Sequence, residues 1–188
     1  MAILPIAHMG DPVLLRRAAP VDDPAAAALR RLVADMIETM DAAPGVGLAA
    51  PQIGVSLRVI VFRVPPERAS DAADDPPRPT AALINPEIVW RDTALCAAWE
   101  GCLSIPGLRG MVPRPARIRY RGFDGEGRAV EAAASGFHAR VVQHEFDHLD
   151  GILYPMRMTD LATLSFTDTV PLAPPSYAAA PPPTEAGP

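Results

Sequence analysis

The pentapeptide His144-Glu145-Phe146-Asp147-His148 constrains this chain more than any other segment. Two histidines four residues apart fall one above the other on a helix, so the segment predicts a helix with both imidazoles on one face. Imidazoles at that spacing can share a metal ion, and Glu145 then stands beside any water the ion holds. The same five-residue pattern also occurs in proteins that bind no metal. The remainder of the chain therefore has to supply a further ligand.

In one class of zinc proteases the motif extends as H-E-x-x-H-x-x-G-x-x-H, with the last histidine as third ligand. Here Gly151 fills the glycine position, but Tyr154 stands where that histidine should be. No histidine follows His148, and the other two, His8 and His138, lie upstream. A third ligand must come from another part of the fold, with a thiolate as the natural candidate. Of the two cysteines, Cys96 reads as a small buried core residue. Cys102 differs, because it sits in Glu100-Gly101-Cys102-Leu103-Ser104-Ile105-Pro106-Gly107. The flanking glycines and proline predict a shaped, irregular segment there.

Gly45-Val46-Gly47-Leu48-Ala49-Ala50-Pro51-Gln52-Ile53-Gly54 has glycine spacing that superficially suggests a phosphate loop. It lacks both the third glycine of a dinucleotide fingerprint and the Gly-Lys-Ser/Thr of a triphosphate loop. The chain contains no lysine at all; its 17 basic residues are all arginine. A tight turn between a helix and a strand accounts for part of this segment. It does not account for the amide of Gln52 presented just after small residues and a proline.

The 188 residues amount to one domain, and 49% hydrophobic residues suffice for a core. A net charge of −5 argues against a general nucleic-acid binder, and DNA is not an expected partner. Arg117, Arg119 and Arg121 alternate as a solvated strand face would. The N-terminus has no basic leader followed by a long apolar run, and no stretch is long enough to span a bilayer. The expected location is the cytoplasm, away from membranes.

Asp23-Pro24 predicts a helix start, and Leu29, Leu32, Val33, Met36, Ile37 and Met40 continue at helical spacing. Residues 57–64 read as a strand, and the Pro/Asp/Ala-rich stretch 65–79 as a mobile loop. Ala82-Leu83-Ile84 and Ile88-Val89-Trp90 suggest two short strands about Asn85-Pro86-Glu87. Ile118, Tyr120 and residues 129–133 predict a hairpin around Asp124-Gly125-Glu126-Gly127. A second helix runs from about Gly136 to Asp150, with Phe137, Val141, His144 and His148 on one face. From Pro171 onward the chain is mostly proline and alanine, which predicts a disordered tail, with the folded part ending near residue 165.

Three segments, Gly45 to Gln52, Glu100 to Ser104 and Gln143 to Gly151, resemble the three signature motifs of the peptide deformylases, in the same order. The similarity covers residues 1 to about 165. It implies an α+β fold in which small antiparallel sheets pack around a central metal-binding helix, with a helix near the N-terminus. It also implies removal of the N-formyl group from the formylmethionine of new polypeptides, the partners being those nascent chains and, transiently, the ribosome. The implied cofactor is one divalent metal per chain, held by Cys102, His144 and His148. In this family Fe²⁺ is usual in the cell; one sulfur and two nitrogens also suit Zn²⁺, Ni²⁺ or Co²⁺.

One thiolate and two imidazoles leave a fourth tetrahedral position for water. Attack on the formyl carbon creates an oxyanion, which needs donors. Gln52 offers its amide and Leu103 its backbone N–H, and the resemblance assigns the same two residues. Glu145 would take the water proton and deliver it to the departing amine. By similarity, Val46, Gly47 and Gly101 hold the peptide as an added strand. The resemblance also points to Val46, Ala98, Phe137, Arg140 and Val141 as the residues around the methionine side chain. Arg140 departs from the aliphatic residue of many bacterial relatives and reads as a packed stem with its head in solvent. Glu100 and Arg114 are expected to pair and brace the Cys102 segment. Ser104 lacks a paired histidine and is not expected to be a nucleophile. A zinc endopeptidase would share the histidine helix but would want a downstream third ligand. A non-enzymatic descendant would not keep every chemically useful residue.

Overall fold

Strand β2 (Val59–Val64) is apolar at nearly every position because both of its faces are covered. Val59 and Val61 join Leu29, Val33, Met36 and Met40 of helix α1 (Ala27–Ala42) in one core cluster. Ile60, Phe62 and Val64 belong to a second cluster, with Phe137, Val141, Val142 and Leu149 of helix α2 (Gly136–Leu149). The two helices thus pack on opposite faces of one sheet. That sheet has five antiparallel strands in the order β1 (Gly47–Ala49), β2, β3 (Arg78–Arg91), β6 (Arg117–Phe123), β7 (Ala129–Ser135). A second sheet orders β4 (Leu95–Cys102), β5 (Ile105–Pro115) and β8 (Ser165–Phe166), with Leu14, Ile105, Val112, Leu153 and Tyr154 forming a third cluster. The computed structural model describes residues 2–169. None of the helices among them is long and apolar enough to cross a membrane.

The α+β architecture agrees with the expectation, whereas several local details differ. Helix α1 starts at Ala27, because the Asp23 carboxylate accepts the Ala25 N–H at 3.0 Å and closes a turn ahead of the helix. The two short strands expected around Asn85 form a single strand, β3. Asn85 takes φ +48° there, and the register with β6 shifts between Ile84 and Glu87. Asparagine tolerates this left-handed geometry, and Pro86, lacking an N–H, is accommodated at the bulge. The Asn85 amide anchors the bend by bonding both the N–H and the carbonyl of Val21, each at 2.8 Å.

The stretch expected to be a mobile loop is instead pinned. Pro66–Arg68 form a 3₁₀ turn, and the fully buried Asp75 accepts the His138 N–H at 2.9 Å, capping α2 from outside its own sequence. Residue 166 was expected to fall in the tail, yet Phe166 pairs with Leu108 in β8, so the sheet continues past the expected boundary. The proline-rich segment from Pro171 lies outside the described residues.

Candidate metal centre and cleft

Strand β4 delivers Cys102 at the point where its register with β5 shifts, between Gly101 and Cys102. Helix α2 delivers His144 and His148 from successive turns. Gly151, at φ +73°, follows the helix and ends it in the left-handed conformation that glycine adopts without penalty. A ligand atom from each of Cys102, His144 and His148 lies within 4.8 Å of the others. His148 Nε2 is 3.3 Å from the sulfur, and His144 Nδ1 is 2.9 Å from Glu100 Oε2. A carboxylate at Nδ1 stabilises the tautomer whose Nε2 lone pair is free for a ligand. The donor set is therefore oriented and fits a first-row divalent cation. Tyr154, where the proteases have their third histidine, is buried with its ring 6.3 Å from that of His144, backing the imidazole without ligating.

Glu100 organises this wall. Arg114 forks onto it at 2.6 and 2.9 Å, and Arg140 reaches it at 2.6 Å. Burial alone would raise its pKa, but the Arg114 guanidinium overrides that and holds the carboxyl well below the usual range. The expected Glu100–Arg114 pair is present. Asp147 is also buried and takes a third Arg114 bond at 2.8 Å, with Arg157 beyond it. Arg140 does not put its head in solvent. It is 5% exposed and also donates to the carbonyls of Cys96 and Val112. Arg114→Met leaves Glu100 and Asp147 buried with fewer partners, so a loss of roughly 3–5 kcal/mol is expected in chemical denaturation. An unchanged denaturation midpoint would show that these carboxylates do not need it.

Glu145 lies on the same helix and is buried, with Oε2 lacking a hydrogen-bond partner among the described residues. Burial pushes its carboxyl up to about 7, against the opposing charge of His144. Gly47 leaves room for this side chain, because a Cβ there would overlap the Glu145 carboxylate unless it moved. Gln52 sits in a 3₁₀ turn, Ala50–Ile53, and is 1% exposed. Its Oε1 accepts the Ala49 N–H at 2.8 Å, which fixes the amide so that Nε2 faces the site. Nε2 donates to Cys102 Sγ at 3.4 Å and to Ser104 Oγ at 3.1 Å. Ser104 thus serves as a partner of the amide, a role its sequence context did not announce.

These groups open onto a cleft of about 460 Å³. Gly47, Gly101 and Cys102 line it from strands β1 and β4, Val46, Gln52 and Leu103 from the segments beside them, and Phe137, Val141, His144 and Glu145 from α2. His148 lies behind this lining, 1% exposed. Ala98 is buried and does not line the cleft, while Arg140 does. Trp99, Leu108 and Arg68 also border it. None of the three sits at a spacing that marks a cleft residue in the sequence.

A family model described as Polypeptide deformylase matches residues 3–163. Peptide deformylase 2 of Ralstonia nicotianae is 54% identical over 166 residues, spanning 88% of this chain and 93% of that one. Peptide deformylase 1 of Nitrosomonas europaea is 51% identical over 168 residues, spanning 89% and 94%. Among solved structures, a peptide deformylase from Ehrlichia chaffeensis superposes with TM-score 0.80 at 35% identity, covering 86% of this chain and 91% of its own. A Met-Ala-Ser-bound class I type b peptide deformylase from Acinetobacter baumannii gives 0.76 at 38%, covering 84% and 99%. Sequence, fold and the placement of the sulfur and two imidazoles agree: this chain belongs to the polypeptide deformylase family.

Proposed function

We propose that this enzyme hydrolyses the N-formyl group from the N-terminal formylmethionine of newly made polypeptides in the cytoplasm, with Fe²⁺ held by Cys102, His144 and His148. The observation that carries this reading is Glu145, a buried carboxylate with an oxygen that has no partner among the described residues, in one cleft with Cys102, His144 and the Gln52 amide. When bound, the cation supplies Lewis acidity, lowering the pKa of water and polarising the formyl oxygen. Glu145 accepts the proton of the attacking water on its carboxylate and returns it to the departing amine. Gln52 Nε2 and the Leu103 N–H donate to the oxygen on which negative charge develops.

β1 and β4 are edge strands of their two sheets, and Val46, Gly47 and Gly101 border the cleft beside them. An extended peptide laid there satisfies strand edges, with its first side chain against Phe137 and Val141. The Acinetobacter baumannii relative was solved with a Met-Ala-Ser peptide bound, which is consistent with a short N-terminal segment as ligand. Endopeptidase activity would require a cleft that admits an internal stretch of chain. Assaying a formyl-Met peptide beside casein, with anaerobically prepared protein, separates the two. Formate release without casein cleavage is expected, and the reverse would overturn the proposal.

Gln52→Leu is expected to lower kcat by about 10²–10³ with a smaller change in KM, because an oxyanion donor acts on charge present mainly in the transition state. Steady-state kinetics decide this. An unchanged kcat with a raised KM would make Gln52 a substrate-positioning residue.

A further inference from the structure

Two arginines border the cleft within reach of α2, and they differ in one respect. Arg140 is buried and its charge is matched by Glu100 at 2.6 Å. Arg68 is exposed and makes no ion pair among the described residues; its guanidinium lies over the Phe137 ring, 4.3 Å from the centroid. A guanidinium stacked on an aromatic ring keeps its N–H edge free for a planar, two-oxygen acceptor.

The backbone that carries this cation is also held in place. Arg68 ends the 3₁₀ turn Pro66–Arg68 and donates its N–H to the Pro65 carbonyl at 2.9 Å. Ser70 donates to the Asp75 carbonyl at 3.1 Å, and the Asp75 side chain caps α2 at His138. Asp74 bonds Ser135 through both its backbone carbonyl and its carboxylate, at 3.0 and 2.6 Å. The segment carrying Arg68 is thereby fastened to the start of the helix that carries Phe137, so little backbone ordering remains for a ligand to bring about.

We infer that Arg68 is a specificity-determining residue that favours peptides with a carboxylate side chain in the first two positions after the formylmethionine. The inference rests on the proposed function, which places the methionine side chain against Phe137, the ring over which Arg68 lies at the border of the same cleft. An exposed arginine–carboxylate pair changes affinity by about three- to fivefold. Such a pair acts on encounter and retention, hence mainly on KM, and weakens with added salt.

The test compares formyl-Met-Glu-Ala and formyl-Met-Ala-Glu amides with their glutamine counterparts, on the native enzyme, Arg68→Met and Arg68→Lys. The amide ends remove the terminal carboxylate. The native enzyme is expected to prefer glutamate over glutamine at one of the two positions by about three- to fivefold in kcat/KM. The ratio should fall to near one in Arg68→Met, survive in part in Arg68→Lys, and shrink at high salt. A native ratio near one at both positions would overturn the inference, as would an undiminished ratio in Arg68→Met. A uniform loss on all peptides with the ratio intact would mean that Arg68 merely walls the cleft. Turnover of the glutamine peptides reports separately on the deformylase reading. If none is turned over, calorimetric binding of the four unformylated peptides reads the same ratio, with the same outcomes counting for and against.

Discussion

Cys102→Ala is expected to strip the protein of its cation and abolish most formate release. The sulfur is one of three donors within 4.8 Å of each other, and the cleft wall offers no other thiolate to replace it. Loss of a partner that only orients a ligand already costs about 10–100-fold in affinity or activity. Loss of the ligand itself should exceed that. Metal content of anaerobically purified protein, measured beside activity, is the check. Cys96→Ala serves as the control, since Cys96 is a buried β4 residue outside the donor set. A Cys102→Ala protein with full metal and full activity would remove Cys102 from the site. A chelator should likewise silence the native enzyme, and readdition of Fe²⁺ should restore it.

Glu145→Gln is expected to retain the cation while losing about 10²–10⁴ in kcat, the usual contribution of a positioned acid–base group. Glutamine keeps the size of the side chain that packs against Gly47, so folding should change little. The pH profile gives an independent readout. Burial raises Glu145 to about 7, so the base form is lost as pH falls through that region. The native kcat/KM should therefore drop on the acid side, at or below pH of about 7, where an ordinary glutamate would titrate near 4.3. The residual rate of Glu145→Gln should lack that acid limb. Parallel loss of metal and activity would instead make Glu145 a structural residue.

The legible parts of this protein were those written in local pattern. Helix α2 was readable because apolar residues and histidines share a 3.6-residue period, and the β6–β7 hairpin because a glycine-bearing turn separates two alternating strands. β3 was misread as two strands because Asn85-Pro86 carries a turn signal. Pairing with β2 and β6 on either side keeps the strand continuous through a bulge. Arg140 was misread because an arginine on a helix is usually solvated. Nothing local reveals that Glu100, forty residues earlier, waits inside with a matching carboxylate.

By itself the sequence determined the chemical inventory: one cysteine in a shaped segment, two histidines at helical spacing, the glutamate between them, and an amide after Pro51. These are fixed by residue type and short spacing, which need no knowledge of the fold. The tertiary structure decided what surrounds them. It joined the edges of two sheets into one cleft, drove Arg114 and Arg140 onto Glu100, and turned the Gln52 amide toward the sulfur through the Ala49 N–H. It also fastened an aperiodic segment to the start of α2, which places Arg68 on Phe137. Buried charge networks and loop anchoring depend on which distant residues share a desolvated space. Sequence spacing carries no record of that space, because it exists only once the sheets and helices have packed.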